Sequence, residues 1–260
     1  MPFTLAHPIA TAPIWFGSNR KLDLPSLFVG SMMPDIDYFL TLHPIKTVGH
    51  TWSGILIQGL PYSIVSLLVI RYVLACPFLA FLPEKLSRKF PPPKSYFPLR
   101  ISHLLNITIS IAIGAASHLI FDSLTYSNGW LVVNLTAIRP KMGSVAIYQL
   151  LQYTSGIIGV GALLLWLFIW LFGAAAQSRT RPQIETLTPN WRSVVTVGIG
   201  CCALGLAHVA IEINHVVGET PADVFVRSLI GCISGTLLGL LLYSVVFWIL
   251  DSFNRGSRSL

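Results

Sequence analysis

Residues 155–176 read SGIIGVGALLLWLFIWLFGAAA, an apolar stretch that contains no charged side chain. A helix that crosses the hydrocarbon core of a bilayer needs about 20 such residues. Four further windows meet this requirement, at residues 54–74, 104–125, 194–217 and 226–250. The sequence therefore predicts an all-α integral membrane protein with about five transmembrane helices.

The composition supports this class. The chain has 260 residues, of which 53% are hydrophobic and only 10% are charged, whereas a soluble domain carries roughly a quarter charged residues. The net charge is +7, but the Lys and Arg residues lie in short segments between the apolar windows, as in loops that face anionic lipids. We therefore expect membrane lipids as partners and exclude nucleic acid. The sequence indicates no oligomeric state.

Two segments depart from a simple spanning pattern. The first window contains Pro61 and ends near Arg71, so we expect residues 72–82 to form an interfacial turn or a helix extension. Before it, residues 24–33 are apolar but too short to span, and they run into Pro34-Asp35-Ile36-Asp37. This pattern predicts an N-terminal helical segment that is partly embedded in the membrane.

We expect one membrane domain over residues 1–260. It comprises an N-terminal segment with His and Asp motifs (1–53), a core (54–155) and C-terminal helices (156–260).

Orientation follows from the Lys and Arg residues on the two sides of a five-span topology. One side carries ten of them: Lys85, Arg88, Lys89, Lys94, Arg100, Arg179, Arg181, Arg192, Arg255 and Arg258. The other side carries six: Arg20, Lys21, Lys46, Arg139, Lys141 and Arg227. Arg71 lies at the boundary. The positive-inside rule makes the first side cytoplasmic. We therefore expect a bacterial inner-membrane protein with its N-terminus outside the cytoplasm.

Under this topology, nine of the seventeen His and acidic residues converge on the non-cytoplasmic side from four segments. Those before the first span are His7, Asp35, Asp37 and His50. The second span ends with His118 and Asp122, four residues apart on one helix face. The fourth span ends with His208, Glu212 and His215, again on one face.

These residue types favour a metal site. An ionised Asp within a span costs about 2.5–3.5 kcal/mol, so such a residue pairs, lines a water-filled cavity or binds a metal. Imidazole and carboxylate ligands suit zinc, with manganese or iron as alternatives. An open position on such an ion would lower the pKa of bound water for attack on an ester or phosphoester. Asp37 and Glu212 are the candidate general bases.

Structural roles compete with this interpretation. His7 before Pro8 suits a helix entry, Pro34-Asp35 suits a turn or cap, and His50-Thr51 suits a cap of the first span. The His and Glu residues of the fourth span could form a structural hydrogen-bond network. For the whole protein, the leading interpretation is a metal-dependent hydrolase that acts on a lipid-like or phosphoester substrate at the non-cytoplasmic face. The alternative is a non-enzymatic transporter or assembly partner that uses the cluster as an ion or proton site.

Several stretches resemble a bacterial family of membrane proteins known as domain of unknown function 4184. They occur in that family's order over residues 1–155: Met1 to Pro8, Gly30 to Phe39, Gly49-His50-Thr51 with Gly54, Gly114 to Leu119, Asp122-Ser123, and Gln152-Tyr153. The series of His, Pro-Asp-x-Asp, His-Thr and His-x-x-x-Asp motifs is more distantly similar to membrane-bound metal-dependent hydrolases. That resemblance implies metal ligation by His7, Asp35, His50, His118 and Asp122, with Asp37 a weaker member.

One position departs from the family pattern. The family commonly reads Asp-Ser-x-Thr-His, whereas this chain ends the motif with Tyr126. Because tyrosine is a poorer ligand than histidine, either the position is not essential or the metal site is depleted. We infer that His215 or Glu212 could compensate, and His215 is therefore included among the candidate metal ligands. A scaffold that has lost its metal stays open as a third interpretation.

Overall fold

The computed structural model describes residues 4–45, 47–90, 100–143, 145–173, 189–213 and 221–258. These residues form eleven α-helices: α1 His7–Gly17, α2 Leu24–Met32, α3 Ile36–Thr41, α4 Leu60–Leu68, α5 Ala75–Phe81, α6 Glu84–Ser87, α7 Ile101–Thr125, α8 Trp130–Asn134, α9 Ile147–Phe172, α10 Pro189–Ile213 and α11 Pro221–Arg258. Short 3₁₀ turns occupy Thr4–Ala6, Met33–Asp35, Val48–His50 and Thr136–Ile138. Two antiparallel strands, β1 Lys141–Met142 and β2 Val145–Ala146, precede α9.

Five helical stretches are long and apolar enough to cross a membrane, which confirms the predicted class and number of spans. They are Ile55–Phe81, Ile101–Thr125, Ile147–Phe172, Trp191–Glu212 and Asp223–Phe253. Many of their large apolar side chains are exposed, including Ile157 at 69% and Leu164 at 61%. Outward-facing apolar side chains of this kind suit a lipid environment.

The first span continues as a helix to Phe81, so the helix extension is the correct alternative for residues 72–82. Wide π-type turns at Ile55–Gly59 and Val69–Leu74 relax the helix on either side of α4. Pro77 has no N–H to donate to the Val73 carbonyl one turn earlier. The Trp248 indole N–H donates to that carbonyl instead, at 3.0 Å. The backbone irregularity is thereby satisfied within the protein.

The residues group into two compact units. The first unit contains Met1–Ile36, Lys46–Leu67 and Phe97–Phe172, and the second contains Asp37–Ile45, Leu68–Tyr96 and Gly173–Leu260. In the second unit, α10 and α11 pack along a glycine stripe formed by Gly231, Gly235 and Gly239. A Cβ at Gly235 would lie 2.6 Å from the Ala203 Cα. The backbones of these two helices therefore meet without intervening side chains.

In the first unit, α2 packs on α7 at equally close range. Asp23 caps α2 by accepting from the Ser26 backbone N–H at 3.0 Å, and Pro25 occupies the first turn. A Cβ at Gly30 would lie 2.8 Å from the Ile111 Cα, closer than real side chains approach. Because α2 packs closely on α7, the segment that follows α2, Met33–Asp35, lies beside α7 as well.

Candidate metal centre

His118 and Asp122 project from adjacent turns of α7, as their spacing of four residues predicts. Both are buried, with exposed fractions of 0% and 5%. The His118 Nδ1 lies 2.8 Å from the Ser31 carbonyl oxygen at the end of α2. Because a carbonyl only accepts, Nδ1 carries the proton in this pair. The other ring nitrogen, Nε2, faces the carboxylates of Asp35 and Asp122.

Asp35 comes from the 3₁₀ turn that follows α2, and its two oxygens have different partners. Oδ2 accepts a hydrogen bond from the Thr4 hydroxyl at 2.6 Å. Oδ1 lies 3.0 Å from His50 Nε2 and 3.6 Å from His118 Nε2. Burial favours a higher pKa for the Asp35 carboxyl, but His118 and the bond with His50 outweigh it and lower that pKa. The carboxylate is thus held as an anion with a fixed orientation.

His7 opens α1 and is 1% exposed. Its ring stacks on that of His118, with 3.7 Å between centroids and 20° between planes. Its Nε2 lies 3.9 Å from Asp122 Oδ1, and neither ring nitrogen makes a hydrogen bond with a described residue. Burial, together with the proximity of His118, lowers the pKa of His7 well below its usual value. His7 is therefore a neutral, buried imidazole, the protonation state in which histidine ligates metals.

His50 comes from the 3₁₀ turn before the first span. Thr47 caps this turn by accepting from the Gly49 backbone N–H. His50 Nε2 lies 3.0 Å from Asp35 Oδ1 and 3.8 Å from Asp122 Oδ2. The ring also meets that of His118 edge to face at 5.5 Å. His50 therefore faces both carboxylates of the cluster.

The five side chains form two sets of three whose ligand atoms lie at metal-sharing distances. Two overlapping sets each have ligand atoms within 4.8 Å of one another, His7 with Asp35 and His118, and His50 with His118 and Asp122. Zinc–ligand bonds of about 2.0–2.2 Å in a tetrahedron place ligand atoms about 3.3–3.6 Å apart. The five His–Asp pairs, at 3.0, 3.6, 3.7, 3.8 and 3.9 Å, bracket this range. His118 belongs to both sets and is the common member.

Two of the other predicted site residues belong to the second unit. Asp37 is half-buried at the start of α3, and Glu212 is exposed near the end of α10, both in the second unit. His215 lies outside the described residues. The roles assigned to Asp37, Glu212 and His215 stay predictions. Metal ligation by the five clustered residues also stays a prediction.

Two orienting groups were not predicted from the sequence, namely the Thr4 hydroxyl and the Ser31 carbonyl. Thr4 lies within the opening motif that resembles the family, which is the only sequence signal for it. Ser31 contributes a backbone atom, so its residue type carries no signal. Tyr126 follows the last residue of α7, and burial, aided by Asp122 and Asp35, raises the pKa of its phenol. The phenol is therefore protonated and can donate a hydrogen bond.

Comparison with known proteins identifies the family. The sequence profile described as Domain of unknown function (DUF4184) matches residues 1–245, so the chain belongs to this family. The match extends well beyond the motifs of residues 1–155 and includes the later spans. No curated protein and no solved structure matches the chain.

Proposed function

We propose that this member of the DUF4184 family binds a divalent metal ion, zinc in preference to manganese or iron, and uses it to hydrolyse a lipid-like ester or phosphoester. His7, Asp35, His50, His118 and Asp122 would hold the ion. The observation that carries the proposal is the set of buried imidazole nitrogens, on His7 and His118, that make no hydrogen bond with a described residue while carboxylate oxygens lie nearby.

The distances favour a metal site over a hydrogen-bond network. Hydrogen bonds between nitrogen and oxygen fall at about 2.7–3.2 Å. Among the described residues, the pairs His7–Asp122, His50–Asp122, His118–Asp35 and His118–Asp122 lie at 3.6–3.9 Å, longer than hydrogen bonds, whereas His50 and Asp35 lie 3.0 Å apart. Leaving a buried polar group without a partner costs about 1–3 kcal/mol. An ion at this position would satisfy the ring nitrogens of His7 and His118 that make no hydrogen bond with a described residue, and it would explain the spacing.

The surrounding residues orient the proposed ligands, as the hydrogen-bond partners of metal ligands do in zinc proteins. A ligating histidine usually donates its other ring N–H to a carbonyl or carboxylate. His118 does so through Nδ1 to the Ser31 carbonyl, and the Thr4 hydroxyl fixes Asp35 in the same way. When bound, the ion would supply Lewis acidity and activate water for attack on the substrate.

The residues next to the site suggest how the chain would assist this reaction. The protonated Tyr126 phenol would donate a hydrogen bond to an oxygen of the substrate or of its leaving group. Tyr126 would thus act as a donor where the family commonly has a histidine ligand. Asp37 and Glu212 stay the candidate general bases.

The depth of the site supports a lipid-like substrate. His118 and Asp122 lie seven and three residues before the end of the span at Thr125, which corresponds to about 10 Å and 5 Å along the helix. A span of 25 residues is about 37 Å long and exceeds a hydrocarbon core of about 30 Å, so this end of the helix lies close to the interfacial layer that contains the head groups of lipids. The positive-inside rule favours a non-cytoplasmic location for this end of α7, which is therefore the proposed face of action.

Metal analysis of purified protein tests the binding step. We expect zinc in the wild type and at least a tenfold loss in His118→Ala. His103→Ala is the matched control, because His103 is exposed on the same helix. Equally low metal in the wild type and His118→Ala, or equal loss in His103→Ala, contradicts the proposal. Size-exclusion profiles of the variants separate loss of ligand from loss of fold.

A second measurement separates the hydrolase from the alternative, a transporter or assembly partner that uses the cluster as an ion or proton site. Metal-loaded protein should hydrolyse nitrophenyl esters or phosphodiesters, and His118→Ala should not. Metal binding without turnover, combined with ion or proton flux in proteoliposomes, would favour the transporter.

A further inference from the structure

The N-terminal segment of the first unit forms a helical hairpin along α7. Helices α1 and α2 pack on each other and on α7, and residues 18–23 connect them. The open end of the hairpin contains His7 and Ser31, which contact His118 by ring stacking and hydrogen bonding. The turn at residues 18–23 is the tip of the hairpin.

Two hydrogen bonds fix the direction of α2 relative to α7. The Asp23 backbone N–H donates to the Ser110 hydroxyl at 2.9 Å, and the Ser31 carbonyl accepts from His118 at 2.8 Å. Both pairs are separated by 87 residues in the sequence. Helix α2 therefore runs parallel to α7 and in step with it. Helix α1 runs in the opposite direction.

The tip reaches far from the metal centre along α7. The Asn106 side-chain amide donates to the Lys21 carbonyl oxygen at 3.0 Å. Asn106 precedes His118 by twelve residues, or about 18 Å of helix, and follows Arg100 by six residues, or about 9 Å. Since the hydrocarbon core is about 30 Å thick, the tip lies toward the end of α7 that is opposite the metal centre.

The chemistry of the tip suits a membrane interface. The Arg20 guanidinium lies over the rings of Trp15 and Phe16, at 5.3 and 5.4 Å from their centroids. Arg20, Lys21 and Phe16 are exposed. The Trp15 indole N–H donates to the Leu22 carbonyl at 3.1 Å, which ties the helix end to the turn. Aromatic rings beside basic side chains are typical of the head-group layer.

We propose that α1 and α2 form a re-entrant hairpin whose tip lies in the head-group layer of the leaflet opposite the metal centre, where Arg20 and Lys21 bind the phosphates of anionic lipids. With this placement, Arg20 and Lys21 count among the basic residues on the side of the membrane that carries Arg100. The ten basic residues on that side become twelve, and the six on the other side become four. The stronger asymmetry assigns the tip to the cytoplasmic leaflet.

Sided cysteine labelling tests the placement in full-length protein that lacks the four native cysteines. Gly17→Cys is the reporter at the tip, because a side chain there meets nothing within 4 Å. Arg100→Cys marks one side and Ser127→Cys marks the other. A membrane-impermeant maleimide should label Gly17→Cys in the same vesicle orientation as Arg100→Cys. Labelling together with Ser127→Cys, or from neither side, overturns the proposal.

Lipid retention tests the anionic partner independently of topology. Protein purified from equimolar phosphatidylglycerol and phosphatidylcholine vesicles should retain an excess of phosphatidylglycerol. Each basic residue near an anionic surface contributes about 1 kcal/mol, a factor of about five. The excess should therefore fall by up to that factor for each of Arg20→Gln and Lys21→Gln, while Lys141→Gln leaves it unchanged. A ratio that is the same in all variants overturns the lipid contact.

Discussion

Replacing Gly114 with alanine places a methyl group where α7 touches the backbone of α2. The added Cβ would press against the Leu27 carbonyl oxygen and lie 2.9 Å from the Ser31 nitrogen and 3.2 Å from the Gly30 carbonyl carbon. Ordinary contacts of a Cβ fall at 3.4–4 Å. All three opposing atoms are backbone, so no side chain can rotate away, and the two helices must separate.

The cost follows from this geometry. Overpacking a close-packed contact destabilises a protein by about 1–3 kcal/mol. The same separation moves the Ser31 carbonyl away from His118 and shifts Asp35, which follows α2 directly. Loss of such an orienting contact weakens metal binding by about 10–100-fold. We therefore expect Gly114→Ala to lower both the unfolding temperature and the metal content.

Thermal unfolding in detergent and metal analysis of the same samples measure both effects. Gly161→Ala is the matched control, because its Cβ meets nothing within 4 Å in the middle of α9. Alanine at an open helical position stabilises by about 0.4–1 kcal/mol, so the two variants should shift in opposite directions. If Gly114→Ala is as stable as Gly161→Ala and retains its metal, the close contact between α2 and α7 does not position the site.

Three further outcomes follow from the site. Thr4→Val removes the hydroxyl that holds Asp35 and should weaken zinc affinity about tenfold in a chelator competition, with the fold unchanged by size-exclusion chromatography. Removing the metal with a chelator should lower the unfolding temperature of the wild type but not that of His118→Ala. A bound ion stabilises the folded state by about 2.7 kcal/mol when its free concentration is 100 times its dissociation constant. Tyr126→Phe should retain its metal, but its rate of hydrolysis of a nitrophenyl substrate should fall by about 100-fold or more. A reduced metal content would instead identify Tyr126 as a ligand.

The spans could be predicted from the sequence because hydropathy reports directly on the cost of placing side chains in lipid. The first span was the exception, because Pro61 and Arg71 obscured where its helix ends. In the structure, the Trp248 indole N–H satisfies the Val73 carbonyl that Pro77 leaves without its helical partner. A contact between residues 175 positions apart leaves no periodic signal in either segment.

The pairing of His118 with Asp122 could also be predicted, because a spacing of four residues on one helix is a local property. The positions of His7, Asp35 and His50 could not be derived in the same way. Their approach to His118 depends on the hairpin and on glycine contacts, which hydropathy does not encode. The resemblance to a family supplied these residues as a set, and the structure supplies the contacts that bring them together.

The proposed hairpin and the proposed metal centre would depend on each other energetically. The hairpin brings the buried His7 and the segment bearing Asp35 alongside a membrane span, where polar groups without partners are costly. An ion shared by these residues and α7 would offset that cost. The site exists only in the folded state, so the free energy of metal binding adds to the free energy of folding. Metal removal should therefore loosen the open end of the hairpin at His7 first. The tip, held by Asn106 and by contacts of Arg20 with lipid, should stay in place.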